Sequence, residues 1–164
     1  MGRTEIVVGL DDSPSAAAAL RWAAAEAVRT GSTLRAVHAL SWPFGVQPPE
    51  HSMPAAVEPI SPSEVDHVYR ASITTIFDAI DPKPDWLIQF ARGDAGPVLV
   101  RQSEHARALV IGTPYHVGLG RLVAGSVAHY CVSHAQCPIV AVPAPTFLVL
   151  PNGESPAVNE EAST

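Results

Sequence analysis

The stretch of sequence that decides the fold is Ile6-Val7-Val8-Gly9-Leu10-Asp11-Asp12-Ser13-Pro14. Its first five residues form an unbroken apolar run, which is typical of a strand buried on both faces of a parallel sheet. Ser13 is a residue type that caps helices, and Pro14 suits the first helical position. The stretch therefore predicts a buried β-strand that turns directly into an α-helix.

The same succession of strand and helix repeats along the rest of the chain. Four more strands are predicted, at Leu34–Leu40, Trp86–Ala91, Ala108–Gly112 and Pro138–Val142. Helices are predicted at Ala16–Val28, from about Ser63 to Ile80, from the turn at Gly93–Pro97 to about His105, and from about Gly125 to His134. Alternating strands and helices imply right-handed crossovers, and hence an α/β fold with a mostly parallel, doubly wound sheet.

The first helix is rich in alanine, the strongest helix former. Leu20, Ala24 and Val28 are predicted to share its apolar face, and Trp22 is predicted to be core material. Gly31 is expected to end the helix, because glycine readily adopts the left-handed conformation that closes helices.

The length of 164 residues fits one domain with a full core. We predict this domain over residues 1–145 and a C-terminal extension over residues 146–164, in which Thr146–Leu150 resembles a short edge strand and Asn152–Thr164 a disordered tail. Inside the domain, Ser41–Pro62 holds six prolines and is predicted to be a long loop, the least ordered internal segment. This loop follows the second strand, where it is placed to cover a crevice.

Composition and charge exclude several classes of function. The formal net charge is −6 and only 16% of the residues are charged, so the clustered Lys and Arg that broad nucleic-acid binding needs are missing. No apolar run is long enough to span a bilayer, and the amino-terminal residues do not form a secretory signal. Two cysteines are too few for a disulfide framework. We therefore expect a cytoplasmic protein that binds neither nucleic acid nor membrane.

Four residues near the end of the predicted domain are of types that bind metals, namely His129, Cys131, His134 and Cys137. Their spacing argues against it, because residues two apart on a helix point to roughly opposite sides. Core packing for Cys131 and a helix-end role for His134 are the favoured interpretations. The sequence also lacks a Gly-x-Ser-x-Gly nucleophile elbow. We therefore expect no metal site, no catalytic residues and no enzymatic role.

Ligands of doubly wound sheets bind at the carboxyl ends of the strands, near the point where the strand order reverses. Two loops qualify: the one after the first strand, with Asp11, and the one from Gly112 to Ser126. The second leads into a helix whose first N–H groups favour an anion, and the Ser126 hydroxyl is suited to a phosphate. The alternative is a plain strand-to-helix connection with Ser126 as its cap. Asp11 either accepts hydrogen bonds from a ligand or only forms the turn before the first helix.

Three motifs, in the same order along the chain, resemble the universal stress protein family. The first is Val7–Ser15 followed by Ala19–Ala23, and the last is Ser133–Val142. Between them, Gly112, Gly125 and Ser126 have the spacing of the family's nucleotide-binding loop. The resemblance covers roughly residues 4–143. It implies a five-stranded parallel sheet with the strand order 3-2-1-4-5 and helices on both faces, similar to the adenine nucleotide α-hydrolase-like fold. It also implies a stress-response or signalling module that binds ATP or a related adenine nucleotide. The family resemblance further implies a homodimer formed through the last strand, Pro138–Val142.

The resemblance implies that Asp11 contacts the nucleoside, that the backbone of Ala39 meets adenine, and that the phosphates lie over the motif Gly112, Gly125 and Ser126. Tyr115 departs from the family pattern, because it stands where the motif has a second glycine that lets backbone approach phosphate closely. Two functions therefore stay open: weak nucleotide binding, and a dimeric interaction module of the same fold with a degenerate site. Slow hydrolysis of the nucleotide is a third, for which the sequence specifies no general base.

Overall fold

The computed structural model describes residues 4–40, 62–81, 85–113 and 125–144. In this part of the chain the elements are β1 (Glu5–Gly9), α1 (Pro14–Thr30), β2 (Thr33–Leu40), α2 (Pro62–Asp78), β3 (Leu87–Arg92), α3 (Ala95–Gln102), β4 (Ala108–Thr113), α4 (Ser126–His134) and β5 (Ile139–Pro143). The strands form one sheet in the order β3-β2-β1-β4-β5, and all neighbouring strands are parallel. The predicted α/β fold and its strand order are confirmed.

Some predictions concern residues outside the described part of the chain. The predicted loop lies there from residue 41 to residue 61, and its last residue, Pro62, is instead the first residue of α2. Tyr115, the strand predicted at Thr146–Leu150 and the tail at Asn152–Thr164 also lie outside it. These features and the domain boundary after residue 145 stay predictions.

The central strand β1 is buried on both faces of the sheet, as its unbroken apolar run predicts. Ile6, Val7 and Val8 are each at most 1% exposed. Ile6 and Val8 pack in a core with residues of α1 and α2, whereas Val7 packs in a second core with residues of α3 and α4. Since successive strand residues point to opposite faces, each face of β1 is covered by its own helix pair.

Helix α1 begins and ends where its sequence signals place it. The Ser13 hydroxyl accepts a hydrogen bond from the backbone N–H of Ala16 at 3.1 Å, with Pro14 in the first turn. At the other end Gly31 has a φ of 64°, the left-handed conformation that closes a helix.

The apolar face of α1 is only partly the predicted one. Leu20 and Ala24 are buried, but Val28 and Trp22 are 57% and 40% exposed, so their predicted core positions are wrong. Trp22 lies two residues from Leu20, which is about 200° around the helix. In a helix so rich in alanine, the small Ala19, Ala23 and Ala27 fill the buried side instead, which brings the helix close to the sheet.

The remaining boundaries differ from the predictions by a few residues at most. Helix α3 ends at Gln102 rather than near His105, because the hydroxyl of Ser103 donates to the carbonyl of Val100 and the chain turns. Trp86 is buried but precedes β3 instead of beginning it. Among the helices that the structure describes, none is long and apolar enough to cross a membrane.

One arginine clamps the amino ends of three strands. The guanidinium of Arg35 on β2 donates to both carboxylate oxygens of Glu5 on β1, at 3.0 and 2.7 Å. It also donates to the side-chain oxygen of Gln89 on β3 and to the side-chain and backbone oxygens of Gln102 on α3. Such a bidentate contact is rigid as well as strong. This clamp fixes one end of the sheet and leaves the carboxyl ends of the strands at the opposite end.

Candidate functional site

The strand order reverses at β1, which lies between β2 and β4, so the predicted crevice lies at its carboxyl end. Gly9 is paired with Val37, and Val8 is paired with Val110. Continuing these registers past the end of β1 sets residue 11 opposite residue 39, and residue 10 opposite residue 112. Ala39 and Gly112 lie near the carboxyl ends of β2 and β4, and Asp11 follows the end of β1 between these two strands.

The backbone of Ala39 is directed towards the crevice. The N–H of Leu10 donates to the carbonyl of Val37, whereas the N–H of Gly93 donates to the carbonyl of Leu40. Because successive residues of a strand point their polar backbone groups to alternate sides, Val37 and Ala39 face β1 while Leu40 faces β3. Since β1 ends at Gly9, the N–H and carbonyl of Ala39 face the turn that carries Asp11.

Asp11 forms the turn that leads into α1. Its Oδ1 accepts a hydrogen bond from the backbone N–H of Ser13 at 2.9 Å, which is the turn-forming role that the sequence offered as an alternative. The residue is nevertheless exposed. Its carboxylate is therefore both held in place by the backbone and accessible to a ligand.

Gly112 allows β4 to approach the first turn of α1. A Cβ atom on this residue would lie 2.5 Å from the carbonyl carbon of Ser15, 2.6 Å from its oxygen and 2.7 Å from the nitrogen of Ala16. These are backbone atoms and cannot rotate away. Close packing against α1 is therefore a sufficient physical reason for glycine at this position, independent of any ligand.

The first turn of α4 lies beside the end of β4. Ala128 in this turn packs in the same core as Ile111 of β4. The N-cap is Gly125, whose carbonyl accepts from the N–H of His129 at 3.0 Å, so the alternative interpretation of Ser126 as the cap is wrong. Ser126 is the first helical residue and is exposed. Gly125 has no side chain with which to cap the first turn, and the first N–H groups of an α-helix have no partner within the helix.

The residues weighed for a metal site have other roles. In the described ranges no group of three or more His, Cys, Asp or Glu residues is placed to hold a metal ion. Cys131 is fully buried, which confirms the predicted core packing, and burial raises the pKa of its thiol to about 11. His134 has Nδ1 2.9 Å from the carbonyl of Tyr130 and stacks on that ring, so its predicted role at the end of the helix is confirmed.

Sequence reasoning missed one polar residue beside the crevice. His38, on β2 directly before Ala39, is 9% exposed, and its Nδ1 lies 2.7 Å from the carbonyl oxygen of Leu10. The available signal was a histidine close to the carboxyl end of the predicted second strand. Without the register, the sequence does not show that this ring reaches the end of β1.

The comparisons with known proteins agree on one family. A sequence model of the universal stress protein family matches residues 2–143. Universal stress protein Rv2623 of Mycobacterium tuberculosis is 31% identical over 155 residues, covering 84% of this chain and 46% of the relative. Universal stress protein Rv2624c of the same organism is 29% identical over 140 residues, covering 84% and 47%. The chain thus spans about half the length of these curated relatives.

Solved structures share the fold at lower sequence identity. A universal stress protein in complex with cAMP is 22% identical with a TM-score of 0.55, covering 87% of this chain and 98% of its own. A family protein from Arabidopsis thaliana with AMP bound is 16% identical with a TM-score of 0.58, covering 92% and 98%. One from Archaeoglobus fulgidus in complex with dAMP is 21% identical with a TM-score of 0.56, covering 87% and 99%. The family model that matches residues 2–143 and the 31% identity to Rv2623 show that the chain belongs to the universal stress protein family.

Proposed function

We propose that this protein binds an adenine nucleotide, ATP or a related one, at the carboxyl end of the sheet, and acts as a stress-response or signalling module in the cytoplasm. The observation that carries the proposal is the position of Asp11, Ala39 and Gly112 at the carboxyl ends of β1, β2 and β4, where the strand order reverses. This is the place where doubly wound sheets bind their ligands.

The geometry suggests a role for each residue. A planar base can meet the N–H and carbonyl of Ala39, while the exposed carboxylate of Asp11 accepts from hydroxyls of the sugar. The phosphates would lie over Gly112 and the start of α4, where Gly125 and Ser126 offer N–H groups and a hydroxyl. Structural neighbours with cAMP, AMP and dAMP support an adenine nucleotide in general.

Tyr115 favours weak over tight binding. A charged hydrogen bond lost at the phosphate is worth about 1.5–3 kcal/mol, which corresponds to roughly a tenfold to hundredfold loss of affinity. If the loss is complete, the second proposal applies: a dimeric interaction module with a degenerate site. Catalysis forms no part of either proposal.

The homodimer belongs to the proposal as well. β5 is the last strand of the described sheet, and a strand edge is a template for pairing with a second copy. The N–H of Leu109 donates to the carbonyl of Pro138, and that of Ala144 donates to Thr113. By the same alternation, Ile139 and Ala141 point their polar backbone groups away from β4. An isologous pairing of two β5 strands would use these groups.

The test combines copurification with calorimetry. Mass spectrometry of the intact, freshly purified protein shows whether a nucleotide is already bound, and titrations with AMP, ADP and ATP give the affinities. We expect Asp11→Ala to weaken binding at least about tenfold, while its exposed neighbour Asp12→Ala changes it less than about twofold. Both variants must have their unfolding free energies measured, because Asp11 also holds the turn.

A second matched pair tests the phosphate end. Ser126→Ala removes a hydroxyl from the first turn of α4, whereas Ser133→Ala removes one from its last turn, where it donates to the carbonyl of His129. We expect only the first to weaken ATP binding. Tyr115→Gly should tighten it, and Gly125→Val should weaken it. If none of these variants changes the affinity, the interaction module replaces the nucleotide-binding proposal.

A further inference from the structure

His38 is a buried polar side chain beside the candidate site, with no part in the proposed contacts to the nucleotide. It lies on β2, is 9% exposed, and has Nδ1 2.7 Å from the carbonyl oxygen of Leu10. A carbonyl oxygen only accepts hydrogen bonds, so the proton of this contact is on Nδ1 of His38.

Two further residues fix the orientation of the ring. His38 meets Phe90 of β3 edge-on, with ring centroids 5.8 Å apart and an interplanar angle of 69°, a favourable aromatic geometry. The guanidinium carbon of Arg70 on α2 lies 4.7 Å from the centroid of Phe90. The imidazole is thus held by packing on one side and by a hydrogen bond on the other.

The acceptor of that hydrogen bond is the residue directly before Asp11. Leu10 is 3% exposed, and its N–H donates to the carbonyl of Val37 at 3.0 Å. Both polar backbone groups of Leu10 are therefore bonded to β2, one by the backbone and one by the His38 side chain. The chain leaves the sheet at this point and forms the turn in which Asp11 accepts from the N–H of Ser13.

We infer that His38 is a positioning residue, which sets the carboxylate of Asp11 against the backbone of Ala39 by holding the Leu10 carbonyl. Without this donor, the last bond between β2 and the turn at the end of β1 is missing, and the buried carbonyl is left unpaired. The consequence for nucleotide affinity rests on the proposed function. The consequence for the turn itself does not.

Two variants whose side chains are of similar size separate the contribution of the His38 hydrogen bond from that of its packing. His38→Leu removes the donor. His38→Asn keeps one, because its amide nitrogen is attached to Cγ as Nδ1 is in histidine. In the ligand-free protein, we expect His38→Leu to raise the exchange rate of the Ser13 amide about tenfold or more relative to that of Val8 in the core, and His38→Asn to stay within about threefold of wild type.

The inference is overturned if the Ser13 amide exchanges at the same rate in wild type, His38→Leu and His38→Asn. It is also overturned if the exchange rate rises equally in both variants, because the effect then comes from packing. NMR of wild-type protein covers the case in which His38→Leu does not fold: a proton on Nδ1 of His38 supports the inference, and the tautomer protonated on Nε2 overturns it.

Titration with AMP then tests the link to function. His38→Leu should bind about tenfold more weakly than wild type, and His38→Asn should bind within about threefold of it. Equal AMP affinity of wild type and His38→Leu, with exchange altered, overturns the role in binding. If wild-type protein binds no AMP, ADP or ATP, the proposed function fails, while the exchange of Ser13 still decides whether His38 holds the turn.

Discussion

Gly112 at the end of β4 lies directly against the backbone of Ser15 in α1, so close that a Cβ atom on residue 112 would be 2.5 Å from the carbonyl carbon of Ser15. The end of β4 and the start of α1, two parts of the candidate site, can therefore pack this closely only because residue 112 has no side chain. The glycine that we propose to lie at the phosphates thus has a packing function as well.

We predict that Gly112→Ala destabilises the fold by about 1–3 kcal/mol or more, because the methyl group meets backbone that must shift. The matched control is Gly9→Ala, whose Cβ would meet a methyl group of Leu99 at 2.9 Å. That side chain can rotate, so the control should lose less. Urea unfolding of the two variants checks the difference, and equal losses would contradict the backbone contact.

The N-cap of α1 gives a second prediction. Ser13→Ala removes the acceptor for the N–H of Ala16 and should lower the free energy of unfolding by about 1 kcal/mol. Ser13→Asn keeps a side-chain acceptor and should lose much less. Thermal and urea unfolding measure both variants, and similar losses would show that the hydroxyl contributes by another contact, such as that with Ser15.

Cys131 should be almost unreactive in the folded protein. Burial, and to a smaller extent nearby Cys137, raises the pKa of its thiol from 9.0 to about 11. Only the thiolate is nucleophilic, so at pH 8 iodoacetamide should modify the half-buried Cys137 at least about tenfold faster than Cys131. Peptide mass spectrometry follows both sites, with urea-unfolded protein as the control in which the rates converge.

The same pKa shift predicts a pH dependence of stability. The pKa of Cys131 is higher in the folded than in the unfolded chain, so its stabilising contribution is fully present below about pH 9 and is lost as the pH rises through about 11. Over this range, wild type should lose more unfolding free energy than Cys131→Ala does. Parallel losses in the two proteins would show that other groups cause the dependence.

A substitution at the edge of β5 tests the proposed homodimer without unfolding the monomer. Ala141 is exposed and points its N–H away from β4, so Ala141→Pro removes a donor from the edge alone. Val140 points towards β4, so Val140→Pro should instead destabilise the monomer. We predict that wild type is dimeric by light scattering at micromolar concentration and that Ala141→Pro is a folded monomer. A dimer that persists in Ala141→Pro places the interface elsewhere.

Much of the fold could be predicted because its signals are local. The apolar run at Ile6–Leu10, the cap at Ser13 and the stop at Gly31 each specify their own backbone conformation. The exposed positions of Val28 and Trp22 could not be predicted, because alanine-rich helices carry little periodic contrast. Which side faces the sheet is then decided by close approach of backbones.

The candidate site was less predictable than the fold, because the roles of its residues depend on tertiary contacts. Asp11 was predicted from its place after the first strand and from the family resemblance, and Ala39 from the resemblance alone. The structure puts them at the carboxyl ends of the neighbouring strands β1 and β2. The contact of Gly112 with α1 and that of His38 with Leu10 join residues far apart in sequence. The N-cap at Gly125 depends on its φ and ψ, which composition does not give.

The Arg35 clamp also bears on how the chain assembles during synthesis. Its partners Glu5, Gln89 and Gln102 are separated from Arg35 by 30, 54 and 67 positions, and such long-range contacts form only after long loops have closed. A nascent chain that has emerged only through β3 can pair Arg35 with Glu5 and Gln89. The two contacts with Gln102 await the docking of α3, so the environment of Arg35 reports when the first 102 residues have come together on the ribosome.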